Sequence, residues 1–283
     1  MDLTLGGNQY GKAETRLVHV DRRGEEHALT DLNVSVALTG DLADTHLTGD
    51  NSAVLPTDTQ KNTVYAFARE HGVAQIEAFG LRLARHFVDS QPSIHTARVR
   101  IEQFGWRRLG PHSFQRDGVT RTASVHYDGE RAEVVSGVAD MVLLNSTDSQ
   151  FHGFVKDRYT TLPETRERIL ATAVTGRWRH AGVDSDWASC HEQASAALVE
   201  AFVDTYSYSL QQTLYAMGER VLLRCPQLVE VRLELPNKHH FPVDLTPFGL
   251  DNPHEVYFAA DRPYGLIEGT VTRAGTPEAT WTF

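Results

Sequence analysis

The stretch Asp31-Leu32-Asn33-Val34-Ser35-Val36-Ala37-Leu38-Thr39 decides the reading of the fold. Leu32, Val34, Val36 and Leu38 recur at every second position, the period of a strand with one buried face. Just upstream, Ala13 to Val20 reads as a partner strand, with Val18 and Val20 alternating around His19, and Arg22-Arg23-Gly24-Glu25 forms the turn between them. Downstream the period changes to that of a helix, from about Gln60 to Val88. Val64, Phe67 and Ala68 share one face, Gly72 lies near a stop, and Ile76, Phe79, Leu83 and Phe87 form a second apolar stripe. Strands resume near 96–106 and 119–127.

The same order then repeats. Ala132 to Leu144 and residues 169–180 read as strands, the latter with Ile169, Ala171, Ala173 and Thr175 on one face. Ala194, Ala197, Leu198, Ala201 and Phe202 mark one helix, and Leu210, Leu214, Met217 and Val221 another. Val229, Val231, Leu233 and Leu235 return to strand, and a last strand runs near Leu266 to Thr272. Long strands with no helix between them favour antiparallel pairing, so the expected class is α+β with helices on one face of each sheet. The other sheet face and the open edges then call for cover, which a second subunit can supply.

Composition narrows the function. The 283 residues carry a formal net charge of −10, which disfavours nucleic acid and anionic lipid as partners. Cys190 and Cys225 stand far apart without a CxxC pair, which argues against a zinc knuckle or a disulfide framework. The N-terminus, Met1-Asp2-Leu3-Thr4-Leu5-Gly6-Gly7, does not read as a signal peptide, and no apolar run has the length of a membrane span. The ending Thr280-Trp281-Thr282-Phe283 lacks the peroxisomal signal, so the cytoplasm is the simpler expected address.

Four clusters carry residues suited to chemistry. Asn8-Gln9-Tyr10-Gly11-Lys12 offers an ammonium, although a lone lysine is ordinarily a surface residue. Thr57-Asp58-Thr59-Gln60-Lys61-Asn62-Thr63 opens a helix. Thr and Asp there can serve as a cap, or the free N–H groups can hold an anion while a hydroxyl relays a proton. In Leu235-Pro236-Asn237-Lys238-His239-His240-Phe241 the adjacent histidines on an extended segment point to opposite faces, so one can face a site while the other packs or is solvated. Phe151 through Leu162, with Arg168 beyond, sets aromatics beside cations that can stack on and grip a planar anion. There is no GxSxG, HExxH or P-loop, and the 14 histidines show no metal-ligand spacing.

Together these clusters resemble the urate oxidase (uricase) family, almost along the whole chain. The resemblance is carried by Asn8–Lys12, Thr57–Tyr65, Phe151–Leu170, Leu210-Gln211-Gln212-Thr213-Leu214-Tyr215, Pro236–Phe241 and Asp261-Arg262-Pro263-Tyr264-Gly265. It is weakest from about Ser90 to Ala132. The resemblance implies two tandem tunnelling-fold (T-fold) domains, 1–138 and 139–283, assembled as a homotetramer with active sites at subunit interfaces. It further implies oxidation of urate by O2 and water to 5-hydroxyisourate and hydrogen peroxide, a step of purine degradation, with no metal and no organic cofactor.

Role by role, the resemblance implies that Arg168 clamps one edge of the purine and Gln211 the other. Leu210 adds a backbone N–H, Phe151 stacks on the ring, and a neighbouring subunit brings Thr57 and the backbone N–H of Asp58. Thr57 and Asn237 wall an oxygen pocket, and Lys12, Thr57 and His239 form a proton relay. Two other readings compete: a pterin-acting T-fold enzyme, and a catalytically silent purine-binding tetramer. The glutamine–arginine pair speaks against the first, and intact Lys12, Thr57 and His239 against the second.

Overall fold

The structure is a computed structural model and describes residues 3–277 and 279. The readings made at Met1-Asp2 and at Thr280 to Phe283 lie outside these residues. The chain forms two compact units, Met1–Gly137 with Arg179–Ser189, and Val138–Trp178 with Cys190–Phe283.

The first unit opens with β1 (Tyr10–Asp21) and β2 (Ala28–Gly40), followed by a short α1 (Ala43–Leu47). Then come α2 (Thr57–His71), α3 (Ile76–Asp89), β3 (Ile94–Arg108), β4 (Phe114–Tyr127) and the first residues of β5 (Ala132–Asn145). Its strands lie in the order β1-β2-β3-β4-β5, and β1–β2, β2–β3 and β3–β4 pair antiparallel. Leu32, Val34, Val36 and Leu38 are all buried, as their alternation requires, and they share one core with Phe79, Leu83 and Phe87 of α3. Each such side chain, fully buried, contributes roughly 1.5–3 kcal/mol. The helical run breaks at Gly72, whose φ of 67° with ψ near 180° is open essentially to glycine alone.

Two details depart from the strand reading. In β1 the inward residues are Thr15 and Leu17, while Val18 is 56% exposed. Val18 stands opposite Asp31, on the face away from the helices, and upstream of Thr15 the strand carries a bulge. Lys12 pairs with Val36 but Thr15 pairs with Val34, so β1 spends one extra residue there. Lys12 and Tyr10 thereby share the helix-side face with Val36 and Leu38, whereas unbroken alternation from Leu17 would have turned them away. The face opposite the helices is polar: Asp31 binds Arg16 at 2.6 Å and Arg116 at 3.4 Å, and accepts from Trp106 Nε1 at 3.0 Å.

The second unit holds the rest of β5, with β6 (Leu170–His180), α4 (Trp187–Asp204), α5 (Leu210–Arg224), β7 (Leu228–Asn237), β8 (His240–Pro242), β9 (Tyr257–Ala259) and β10 (Gly265–Thr272); β6 and α4 each lend a few residues to the first unit. The strand order is β5-β6-β7-β10, with β7 and β10 antiparallel, and β8 pairs with β9. The α4 and α5 stripes are buried as their spacing predicts. In β6 the core face is the even set, Leu170, Thr172, Val174 and Trp178, rather than the odd set around Ile169. Both cysteines are buried. Among the described residues no helix is long and apolar enough to cross a membrane.

Candidate active site

In the second unit, residues 148–151 run between two neighbours. Phe151 and Thr165 exchange backbone hydrogen bonds of 2.8 and 3.0 Å, and Arg168 N–H donates to the Ser149 carbonyl at 2.9 Å. On the other side Gln150 N–H donates to Ser207 and Ser207 N–H to Asp148, each at 2.9 Å. Short bridges of this kind have no periodicity for a sequence reading to find. They set the Phe151 ring under the Arg168 guanidinium, whose carbon stands 5.4 Å from the ring centroid.

Arg168 is partly buried, and burial lowers its pKa from the ordinary guanidinium value. Its side chain donates through Nε to the Ser149 hydroxyl at 3.1 Å. Among the described residues no carboxylate pairs with it. A cation withdrawn from water and left without an anion is a waiting anion site. Of the other cations of this segment, Lys156 pairs with Glu164 at 2.8 Å, Arg158 meets the Tyr159 hydroxyl, and Arg166, which is exposed, meets His152 at 3.5 Å.

A cavity of 330 Å³ opens here, lined by Phe151 and Arg168 together with Asn237, His239 and His240. Both histidines border it, contrary to strict alternation, because the chain leaves β7 at Asn237 and starts β8 only at His240. Burial, then the Arg168 charge, then His240 lower the His239 pKa, so its ring is neutral at neutral pH. Leu210 and Gln211 stand at the start of α5, the first buried and the second exposed, outside the cavity lining. Ser209 caps that helix by accepting from Gln212 N–H at 3.2 Å.

Lys12, Thr57 and Asp58 belong to the first unit. The expected capping role of Thr57 and Asp58 does not hold. Pro56 occupies the N-cap position with no side-chain cap bond, and the Asp58 carboxylate turns to Lys61 and to Asn62 at 2.9 Å. Both interactions, with a smaller contribution from Lys12, lower the Asp58 pKa. The first amides of α2 therefore remain open, and the Thr57 hydroxyl makes no hydrogen bond among the described residues. Tyr10 steadies the approach to this helix, its hydroxyl accepting from Leu55 N–H at 2.9 Å. Gly11 allows the close run of β1, since a Cβ there would stand 1.8 Å from the Val36 carbonyl oxygen.

A larger groove of 760 Å³ follows β1 and the end of α2, from Leu17 to Arg23 and Tyr65 to Gly72. None of the nine expected site residues lines it, so size does not decide between the two cavities. The unpaired arginine over an aromatic ring does. Among the described residues no three His, Cys, Asp or Glu side chains gather as a metal-ligand set.

The Uricase family model matches residues 8–132 and 134–268. This chain belongs to the uricase family. Uricase from Arthrobacter globiformis is 49% identical over 277 residues, covering 97% of this chain and 91% of that one. Uricase from Dictyostelium discoideum is 37% identical, covering 96% and 98%. The crystal structure of the Arthrobacter globiformis uricase superposes with a TM-score of 0.96, covering 99% of this chain and 98% of that one at 48% identity. Urate oxidase from Bacillus sp. TB-90 superposes at 0.83 with 24% identity, covering 94% and 100%, and speaks for the fold alone. The antiparallel α+β architecture is thus that of urate oxidase structures, the T-fold, and uricase membership makes the chain an oxidoreductase acting on urate.

Proposed function

We propose that this chain oxidises urate with O2 and water to 5-hydroxyisourate and hydrogen peroxide, without metal or organic cofactor, in purine degradation. The observation that carries the reading is Arg168: a partly buried guanidinium with no carboxylate partner among the described residues, above Phe151, at a cavity that also holds Asn237 and His239. A planar purine anion satisfies all of these demands. It stacks on Phe151, takes paired N–H bonds from Arg168 and meets the Gln211 amide and Leu210 N–H at its far edge.

The chemistry follows from the substrate. Ground-state dioxygen is a triplet and reacts slowly with most organic molecules, but the urate anion is electron-rich enough to be the reductant. Urate loses two electrons, O2 gains them and two protons to become peroxide, and water adds to the oxidised ring. The protein must bind the anion, keep a small polar space beside Asn237 and Thr57 for oxygen and water, and move protons. Lys12, Thr57 and His239 are the proposed relay. The two halves, 1–138 and 139–283, are read as tandem T-fold domains of a homotetramer. Thr57 and the Asp58 N–H then approach urate from a neighbouring chain, an assignment supported by the open amides at the start of α2.

The test is a urate assay after exhaustive chelation. One O2 consumed and one peroxide formed per urate lost, at undiminished rate, is the expected result. A rate that collapses on chelation and returns with added metal overturns the cofactor-free reading.

A further inference from the structure

Arg168 is aimed as well as buried. Its backbone N–H and its Nε–H both go to Ser149, to the carbonyl at 2.9 Å and the hydroxyl at 3.1 Å. Nε carries a single hydrogen. Once Ser149 takes it, the only guanidinium edge left for a ligand is the outer fork of Nη1 and Nη2. Ser149 is itself 1% exposed.

The same serine ties Arg168 to the far side of the site. Ser149 lies opposite Ser207 in a parallel bridge whose hydrogen bonds are made by its neighbours Asp148 and Gln150, and Ser207 and Thr213 are completely buried. The Ser207 hydroxyl accepts from Thr213 Oγ1 at 2.9 Å and donates to the Ser209 carbonyl at 3.1 Å. Two residues on, Ser209 caps α5 immediately before Leu210 and Gln211. Backbone bonds from the residues on either side of Ser149, followed by the Ser207 hydroxyl bonds, therefore join the segment that holds the arginine to the helix start that carries the glutamine.

We propose that Ser149 and Ser207 are positioning residues for purine recognition. Ser149 forces Arg168 to present its outer fork, and Ser207, locked by Thr213, holds the arginine-bearing segment at a set distance from Leu210 and Gln211. The inference rests on the reading of Arg168 and Gln211 as the two arms of the urate clamp. Neither serine touches substrate. Each acts through a residue that does, and buried hydroxyls suit the task because their partners cannot exchange them for water.

Ser149→Ala frees Nε, and the guanidinium gains a second way to face the cavity. The KM for urate rises about tenfold, the scale of one hydrogen bond to a charged group, while kcat stays within about twofold. Shape and hydroxyl are separated by two substitutions of equal outline. Ser149→Thr keeps the acceptor and holds KM below that of Ser149→Val, which lacks it. Arg168→Lys serves as the reference. Combined with Ser149→Ala it adds less than about twofold to KM, because the serine acts through the arginine. Ser207→Ala leaves the backbone bridge intact and raises KM by loosening the start of α5.

The inference is overturned if Ser149→Ala lowers the thermal midpoint but leaves KM where it was, or if Thr and Val at position 149 give the same KM. An unchanged KM in Arg168→Lys defeats the clamp itself. A raised KM there beside an unchanged one in Ser149→Ala defeats only the positioning role.

Discussion

At the scale of single residues, the candidate chemistry depends on groups left unsatisfied. Among the described residues Arg168 has no carboxylate partner, the Thr57 hydroxyl makes no hydrogen bond, and no side chain caps the amides that open α2. If Lys12 and Thr57 carry protons, Lys12→Met and Thr57→Ala lower kcat by about 10²–10⁴-fold, the usual worth of general acid–base catalysis, with far smaller effects on binding of a non-oxidised purine analogue. Equal losses in turnover and binding, measured by steady-state kinetics and analogue titration, would count against the relay. His239 supplies a pH test. Its pKa is lowered by burial and by the Arg168 charge. The acid limb of kcat/KM should then lie below the ordinary imidazole value of 6.5. Removing the cation by Arg168→Gln raises the His239 pKa, so the limb should move to higher pH. A pH profile that stays put in this variant excludes His239 as the group responsible.

At the scale of elements, close contact between helix and sheet rests on missing side chains. A Cβ on Gly218 of α5 would stand 2.7 Å from Val271 Cγ2 in β10, and one on Gly269 of β10 would stand 2.8 Å from Leu214 Cδ2 in α5. Each glycine receives a branched side chain of the other element. Gly80 of α3 does the same for Val125 of β4 in the first unit, at 2.9 Å. Gly218→Ala gains about 1 kcal/mol of helix propensity but overpacks a rigid β-branched neighbour, for a net loss of about 1–2 kcal/mol. Because α5 begins with Leu210 and Gln211, KM should rise along with the fall in thermal midpoint. A Gly218→Ala protein as stable as the parent would show that α5 can shift without cost.

At the scale of the whole molecule, pH and assembly are the accessible variables. His180 lies in a buried network of the first unit. Arg121 donates to Glu77 at 2.7 Å, Ser136 donates to Glu77 at 2.7 Å, and His180 Nε2 therefore donates to the Ser136 hydroxyl at 2.9 Å. Among the described residues its Nδ1 has no hydrogen-bond partner, so a second proton there would be buried without an acceptor. Burial and the Arg121 charge hold its pKa at about 4 instead of 6.5. Between those values the unfolded chain binds the proton and the folded one does not, so stability falls as pH drops from 6.5 toward 4. His180→Gln keeps a donor for Ser136 without the titration, and its thermal midpoint should vary less over that window. An unaltered pH dependence would assign the effect to other groups. Assembly is tested by complementation. If sites form between chains, Lys12→Met and Arg168→Gln proteins, each strongly impaired alone at low urate, regain about a quarter of parental activity when dissociated and reassembled together, since one site in four then draws both intact halves. No recovery in confirmed mixed tetramers would mean that each chain builds its own site.

Much of this was legible in the sequence because burial imposes a period. The Leu32 to Leu38 alternation and the stripes of α3, α4 and α5 follow from one buried face per element, and each is buried in the structure. The cluster motifs pointed to the uricase family for a similar reason: grip on a planar anion needs particular groups at particular places. Where local period stops, sequence reading stopped as well. An extra residue in β1 turns Lys12 to the helix side, Pro56 takes the cap that Thr57 was expected to supply, and the break after Asn237 brings both histidines to the cavity. Ser149 and Ser207 carried no signal at all, since Ser149 acts on Arg168 and the Ser207 backbone meets Asp148 and Gln150 across stretches that share no local period. Sequence alone determined which face of β2, α3, α4 and α5 is buried and which family the chain joins, while β1 and β6 bury the face opposite to the one their alternation suggested. Only the tertiary structure decided where Arg168 points and what holds it, because those depend on partners far away in sequence that no local pattern records.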